Sequence, residues 1–102
     1  MVARVAIDSY VLDSLMPDLV GHDRQPSAFL VYLYLYRHAK GRVVRACTAS
    51  LQQMASDTGL SKSAVQQAIR TLKRRRLVHS RQATPTSAPE YVVATPWVRG
   101  SH

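Results

Sequence analysis

Two helix-start signals with a helix-stop signal between them lie in the middle of this sequence. Ser50 is followed three residues later by Gln53, the spacing of a capping box, so a helix is expected to begin there. Gly59 predicts that this helix ends at about Thr58, because glycine readily takes the left-handed conformation that closes helices. Ser61 then supplies the N-cap of a second helix. The pattern predicts two short helices joined by a tight turn.

The second of these helices is expected to be amphipathic, with a basic outer face. Four apolar residues recur at helical spacing and predict the face that packs inward, namely Val65, Ala68, Ile69 and Leu72. The other faces carry serine, glutamine, arginine and lysine, and no acidic residue occurs from Thr58 to Pro89. Glutamine can pair with adenine and arginine with guanine in the major groove, at about 1–3 kcal/mol of discrimination each. This face therefore predicts a nucleic-acid interface.

Two short strands are expected directly after the helix pair. Residues 77–82 and 91–95 are interpreted as strands, and the loop 83–89 between them contains two prolines and no charge. A further short strand is expected ahead of the helix pair, over residues 42–47. Two helices followed by a strand pair predict a helix-turn-helix with a β-hairpin wing.

An apolar segment from Phe29 to Tyr36 allows two interpretations. Its β-branched and aromatic residues suit a buried strand, but the flanks favour a helix over residues 26–40. Pro26 suits the first position of a helix, and Gly41 suits the position just past its end. Three basic residues lie near the predicted C-terminal end, namely Arg37, His38 and Lys40. Because this helix is apolar nearly all round, it is expected to be central or covered by a partner chain.

The first 25 residues predict a less regular extension. Residues 3–7 alternate weakly, as in a short strand, and Asp8 is expected to cap a helix. Pro17 either interrupts that helix or opens a second one. The apolar face of the helix is formed by Val11, Leu12, Leu15 and Met16. Four aspartates recur every five residues and share no face of an α-helix, so no pairing is expected among Asp8, Asp13, Asp18 and Asp23.

Charge is distributed unevenly along the 102 residues. The net charge is +8 at pH 7, to which residues 1–24 contribute −2 and the remaining residues +10. Such a balance predicts a polyanionic partner, either nucleic acid or a membrane surface. A chain of this length builds one hydrophobic core, so a single domain is expected.

The sequence offers no pattern for catalysis or for a resident metal or cofactor. Cys47 is the one cysteine, so no internal disulfide can form, and the four histidines show no metal-ligand spacing. No nucleophile is paired with a base in a catalytic motif, so an enzyme is not expected. The longest apolar run is far shorter than the ~20 residues of a membrane helix, and the start lacks signal-peptide features. These features predict a cytoplasmic protein, associated with the nucleoid, with no membrane partner and no evident small-molecule substrate.

The stretch from Ser50 to Val78 resembles the winged helix-turn-helix of bacterial regulators of the GntR and MarR types. The shared pattern is a small and apolar pair, a glycine followed by an apolar residue, a capping serine, and apolar residues at helical spacing. The whole chain is also similar to short bacterial helix-turn-helix proteins of replication-initiation or plasmid type. The resemblance implies an α+β, mainly α fold with a three-helix core, a β-hairpin wing and an extra N-terminal helix. It also implies that residues 61–75 enter the major groove of double-stranded DNA.

Two features depart from the family pattern. Arg76 stands where these regulators usually have a glycine, in the left-handed turn after the recognition helix, at a cost on the order of 1 kcal/mol. Either the helix exits differently, or Arg76 tolerates this strain. The wing tip lacks the arginine or lysine that often enters the minor groove. Thr84, Thr86 and Ser87 are left as candidate phosphate contacts at that tip.

The expected interface residues follow from these observations. Residues 62–70 are expected to contact base edges, and the basic residues after them are expected to contact phosphates, with no acid near in the sequence. The predicted DNA-binding residues are Ser61, Lys62, Ser63, Gln66, Gln67, Arg70, Lys73, Arg74, Arg75, Arg76 and Arg81. The domain is expected to span residues 26–97. It is preceded by an extension over residues 1–25 that serves a homodimer, and it is followed by a tail over residues 98–102.

The resulting hypothesis is a sequence-specific protein for double-stranded DNA, acting as a transcriptional regulator or as a replication or plasmid-maintenance factor. The alternative is a winged-helix adaptor that docks an acidic protein, which the uncharged loop 83–89 favours. A third interpretation is binding of RNA or single strands, with Tyr32, Tyr34 and Tyr36 as stacking residues. The other interpretation of these tyrosines is that they form core or dimer contacts.

Overall fold

The computed structural model describes residues 2–98. An N-terminal helical segment, three α-helices and a three-stranded sheet confirm the expected α+β, mainly α winged helix. The N-terminal segment comprises two wide helical turns, Val11–Leu15 and Pro17–His22. The elements that follow are α1 (Pro26–His38), β1 (Arg45–Thr48), α2 (Leu51–Thr58), α3 (Lys62–Arg74), β2 (Val78–Arg81) and β3 (Glu90–Val93). Residues 99–102 of the expected tail lie outside the described residues.

Helix α1 forms the centre of the domain and packs against α3, the sheet and the N-terminal segment. The helical interpretation of this apolar stretch is confirmed, and Pro26 lies in the first turn as expected. The helix ends at His38, two residues earlier than expected, because Ala39 is already extended, so Gly41 does not close it. Its buried residues are Ala28, Phe29, Val31, Tyr32, Leu35 and Tyr36. The N-terminal segment of the same chain packs against α1, and its Leu19 is fully buried. Much of the apolar surface of α1 is therefore buried within one chain.

The caps of α2 and α3 are formed as the sequence predicts. The Ser50 hydroxyl accepts a hydrogen bond of 3.0 Å from the backbone N–H of Gln53, and the Ser61 hydroxyl accepts one of 3.1 Å from that of Ala64. Gly59 closes α2 in the left-handed region, at φ +80°. The reciprocal half of the capping box is absent among the described hydrogen bonds, because the Gln53 side chain donates to the Asp57 carboxylate instead. The helix-turn-helix is therefore fixed by short-range hydrogen bonds.

Arg76 takes the left-handed conformation that the family pattern gives to glycine. Its φ is +58°, and its N–H donates to the carbonyl of Lys73 at 3.0 Å. The N–H of Leu77 donates to the carbonyl of Leu72 at 2.9 Å, which completes a Schellman motif at the end of α3. Of the two exits that the sequence left open, α3 therefore takes the left-handed one, and an arginine tolerates the backbone strain.

The sheet is antiparallel in the order β1-β3-β2, and β2 and β3 form the expected wing hairpin. The strands are shorter than the sequence indicates. β1 begins at Arg45 and not at residue 42, because the chain turns at Gly41, where φ is +129° and a side chain would collide with the carbonyl of Val44. Cys47 of β1 is half-buried, and this burial raises the pKa of its thiol.

The first residues of the chain differ from the sequence-based expectation. Residues 3–7 are exposed and form no strand, because no sheet edge pairs with them among the described residues. Asp8 does precede the helical segment, but its carboxylate accepts a hydrogen bond of 2.9 Å from the Trp97 indole in place of a cap. Pro17 opens the second wide turn, as one of the two interpretations held.

The aspartates of the N-terminal segment come together, so the expectation that they share no face is wrong for Asp18 and Asp23. The segment is wound with hydrogen bonds from residue i+5 to residue i, and the N–H of Asp23 donates to the carbonyl of Asp18 at 2.9 Å. A five-residue repeat, which diverges on an α-helix, stays on one side of this wider helix. Both carboxylates consequently face the end of α3, where they meet Arg75.

Candidate nucleic-acid interface

The outer face of α3 divides into a central ridge and one flank. In a helix with 3.6 residues per turn, positions opposite the buried stripe recur at steps of four and three. Four exposed residues occupy these positions and are called the outer ridge: Ser63, Gln67, Arg70 and Arg74. Three exposed residues line one side of it and are called the flank: Lys62, Gln66 and Lys73. On the opposite face Val65, Ala68 and Leu72 have no exposed surface, so the ridge projects away from the core.

The first turn of α3 presents hydroxyl and backbone donors together. Ser61 caps the helix through the N–H of Ala64, and its Oγ also lies 3.2 Å from that of Ser63. The first N–H groups of an α-helix have no partner within the helix, and the helix dipole favours an anion at this end. Lys62 adds a positive charge in the same turn. The arrangement suits a phosphate oxygen.

Arg75 does not share the exposure of its neighbours. Its guanidinium is paired with the carboxylate of Asp18, and its Nε lies 3.6 Å from Oδ2 of Asp23. Only 30% of its side chain is exposed, whereas Arg74 and Arg76 are open to solvent. The sequence around Arg75 contains no acid, but Asp18 lies 57 positions earlier and reaches it through the fold. Arg75 is therefore committed to an internal ion pair in this structure.

The wing carries little net charge. Arg81 at the end of β2 pairs across the hairpin with Glu90 of β3, its register partner. At the tip, the backbone N–H of Thr84 donates to the Ser87 hydroxyl at 3.0 Å, and the N–H of Ser87 donates to the Thr84 hydroxyl at 3.1 Å. These two hydroxyls hold the turn together, so they are less available for phosphate than the sequence suggests.

The arrangement of the helices now permits comparison with known proteins. Residues 25–78 match the model of a family described as a helix-turn-helix domain, and the match includes α1, β1, α2 and α3. The chain belongs to this helix-turn-helix family. The family identifies a helix-turn-helix DNA-binding domain, while the closer likeness to the GntR and MarR types stays a prediction. No curated protein and no solved structure matches the chain.

The tyrosines of the helix-turn-helix domain have structural contacts. Tyr32 is fully buried, and Tyr36 is 4% exposed and lies beneath the Arg45 guanidinium, which is 5.0 Å from the ring centroid. Arg45 also donates to the carbonyls of Tyr36 and Ala39, at 3.3 and 3.4 Å, which satisfies the end of α1. Tyr34 donates a hydrogen bond of 2.8 Å to Asp57. Two of the three tyrosines are thus unavailable for base stacking.

A polar network at the surface links α1 to α2 and was missed in the sequence. The Tyr34 hydroxyl and the Gln53 amide both donate to the Asp57 carboxylate. These two hydrogen bonds, that from Gln53 first, hold the pKa of Asp57 below its usual value. Burial, with a smaller effect of Asp57, raises the pKa of Tyr34 to about 12. The i, i+4 spacing of Gln53 and Asp57 could have indicated half of this network.

One group within residues 2–98 brings three potential metal ligands close together. The ligand atoms of Asp18, His22 and Asp23 lie within 4.8 Å of one another. Arg75 already neutralises one face of this group, since it contacts the Oδ2 atoms of both carboxylates. The arrangement is explained by this ion pair.

Within residues 2–98, no helix combines the length and the apolar character that a bilayer span requires.

Proposed function

We propose that this helix-turn-helix protein binds double-stranded DNA in a sequence-specific manner, as a transcriptional regulator or as a replication or plasmid-maintenance factor of a bacterium. In this proposal α3 lies in the major groove and residues 61–75 supply its contacts. The observation that carries the proposal is the outer ridge, where exposed amide and guanidinium groups stand opposite a fully buried stripe. The major groove is about 12 Å wide and admits one such helix.

The outer ridge and the flank make different contacts with DNA, some to base edges and some to phosphates. Gln67 and Arg70 are exposed on the outer ridge and can each form two hydrogen bonds to one base, the amide as donor and acceptor and the guanidinium as a double donor, so they contact base edges. Gln66 on the flank reads an adjacent base, while Lys62, Ser61 and Ser63 hold a phosphate at the start of α3. The remaining phosphate contacts come from Lys73, Arg74 and Arg76. Arg75 and Arg81 contribute less than the sequence suggests, because carboxylates already pair with them.

Of the two surfaces that the sequence indicated for a homodimer, the N-terminal extension is the better candidate. The apolar character of α1 is explained largely by cover from its own chain. The N-terminal segment presents an exposed stripe beside its buried one, formed by Leu12, Met16 and Val20, which are 43%, 37% and 37% exposed. Three such side chains bury much less than the ~800 Å² per partner of a stable interface. A second copy therefore pairs through this stripe when both copies are bound to DNA, at half-sites ~34 Å apart. Sedimentation of the protein with and without a duplex that carries two sites tests this.

The central test is selection of bound duplexes from a random pool, followed by affinity measurements on selected and random DNA at one salt concentration. Gln67→Ala and Arg70→Ala are each expected to cost about 1–3 kcal/mol on the selected site and far less on random DNA. Arg37→Ala, which removes an exposed arginine from the end of α1, is the matched control. Equal losses on both duplexes remove these residues from base recognition, and a pool without enrichment overturns sequence-specific binding.

The neutral wing favours a second candidate, a protein–protein adaptor within a nucleic-acid assembly. Arg81 is paired with Glu90, and the loop 83–89 has no charged side chain to place in a minor groove. In that case the basic face of α3 docks an acidic protein surface. Binding to random duplex DNA at ~150 mM salt separates the two candidates, because non-specific DNA binding depends on released counterions and an adaptor lacks it.

A further inference from the structure

Arg75 lies where three parts of the chain meet. It is the C-cap residue of α3, and the left-handed turn at Arg76 begins directly after it. Its guanidinium pairs with Asp18 and Asp23 of the N-terminal segment. The chain then enters β2 and the wing, so Arg75 connects the extension, the recognition helix and the start of the wing.

The Asp23 carboxylate needs a positive charge beside it. The Asp23 side chain is only 11% exposed, and its Oδ2 has no hydrogen-bond donor within the described residues. The Nε of Arg75, 3.6 Å away, is the positive charge next to this oxygen. The other oxygen of this carboxylate, Oδ1, lies 3.0 Å from Nδ1 of His22, so Arg75 is the partner on the Oδ2 side. A buried carboxylate oxygen that loses its nearby cation is disfavoured, so the position of Asp23 depends in part on Arg75, and Arg75 is held by Asp18 and Asp23 together.

The residues after Arg75 are held from the other side. Leu77 is 4% exposed, its N–H donates to Leu72, and its carbonyl accepts a 2.9 Å hydrogen bond from the N–H of Ala94. Arg76 lies between the ion pair and this buried leucine, with a strained positive φ of +58°. The exit from α3 is therefore fixed by an ion pair at one end and by packing at the other.

We propose that Arg75 is a positioning residue and not a phosphate contact. Through Asp18 and Asp23 it fixes the N-terminal segment to the end of α3, and in this way it sets the angle between the recognition helix and the wing. The inference rests on the proposed function, because this angle matters only if α3 and the wing engage one duplex. It assigns to the acidic extension a part in DNA selectivity without any contact to DNA.

The test compares Arg75→Ala and the double variant Asp18→Asn/Asp23→Asn with two controls. Arg74→Ala removes the neighbouring exposed arginine, and Asp13→Asn removes an exposed acid from the same N-terminal segment. For each protein, affinities for a selected and a random duplex are measured over a range of salt concentrations. Amide hydrogen exchange of Arg76 and Leu77 is followed in the same proteins without DNA.

Arg75→Ala and the double aspartate variant are both expected to lower the ratio of selected to random affinity by about tenfold, roughly the contribution of one base contact. Both are expected to leave the salt slope on random DNA unchanged and to speed exchange at Arg76 and Leu77. Arg74→Ala is expected to reduce that slope by about 0.9, the value for one phosphate contact, and Asp13→Asn to change neither ratio nor exchange. Arg75→Lys, which keeps the charge, is expected to recover part of the ratio.

A slope reduced by about 0.9 in Arg75→Ala overturns the proposal, because Arg75 is then a phosphate contact. A selectivity ratio that stays at the wild-type value in both variants overturns it as well. If Arg75→Ala does not fold, the double aspartate variant, which leaves no unpaired buried carboxylate, decides the matter. If the wild-type protein binds no duplex, the proposed function fails, and exchange rates at Arg76 and Leu77 still test the ion pair: wild-type rates in the aspartate variant refute it.

Discussion

The hydroxyl of Tyr32 donates a hydrogen bond of 2.9 Å to the carbonyl oxygen of Ala94. This bond joins the centre of α1 to the residue directly after β3, so the core helix and the wing are tied through a fully buried side chain. Tyr32→Phe keeps the ring and removes only the donor, and it leaves the Ala94 carbonyl without this donor. We expect the free energy of unfolding to fall by about 1 kcal/mol, measured by urea denaturation. Tyr10→Phe, which removes the hydroxyl of a tyrosine that is 43% exposed, is the control, and an equal loss there contradicts the assigned role.

The same tyrosine predicts sensitivity to alkali. Burial raises the pKa of Tyr32 well above its ordinary value of about 10. A group whose pKa is higher in the folded state stabilises that state fully below the unfolded value, and this stabilisation is lost as the pH rises past it. Stability is therefore expected to fall above about pH 10 and to fall less steeply in Tyr32→Phe. The free energy of unfolding of both proteins is measured between about pH 9 and pH 11, around the ordinary tyrosine pKa. An equal fall of stability in the two proteins over this interval contradicts the assignment to Tyr32.

Arg76→Gly is expected to stabilise the domain. Glycine takes a positive φ without the steric cost that a side chain imposes, so the free energy of unfolding is expected to rise by about 0.5–1 kcal/mol. Arg76→Ala keeps the strain and removes the same charge, so the difference between the two variants isolates the backbone effect. Urea midpoints of both variants provide the measurement. If glycine and alanine give the same midpoint, the left-handed turn costs nothing.

Ser61 offers a way to separate helix capping from DNA binding. Aspartate is as good an N-cap as serine, so Ser61→Asp is expected to keep thermal stability, whereas Ser61→Ala is expected to lose about 1 kcal/mol. The new carboxylate lies where the proposal puts a phosphate, so Ser61→Asp is expected to weaken binding to all duplexes by about tenfold or more. Melting curves and duplex titrations of both variants test this, and undiminished DNA binding by Ser61→Asp removes this end of α3 from the interface.

The sequence predicted the helix-turn-helix well because its signals are local. The serine caps act over three residues, and the buried stripe of α3 repeats within two turns, so neither depends on distant parts of the chain. At Arg76 the same motif left two exits from the helix open, and the structure has the left-handed one.

What the sequence did not predict depends on distant pairing. The ion pair of Arg75 needs Asp18 to be placed by the fold, and it needs a wide helix that puts residues five apart on one side. Residues 3–7 have the alternation of a strand but pair with neither edge strand of the sheet, which alternation alone cannot reveal. The polar side chains that the sequence put on the outer faces of α3 are exposed, whereas Arg75 at its end is held by a remote acid. Their contacts with DNA stay a prediction.

The positive charge of Arg81 in the wing is neutralised by its ion pair with Glu90. Loss of the Glu90 carboxylate would leave the Arg81 guanidinium uncompensated at the loop end of the hairpin. Under the proposed function, a single substitution at Glu90 would therefore give the wing a free positive charge for DNA while the residues of α3 stay unchanged.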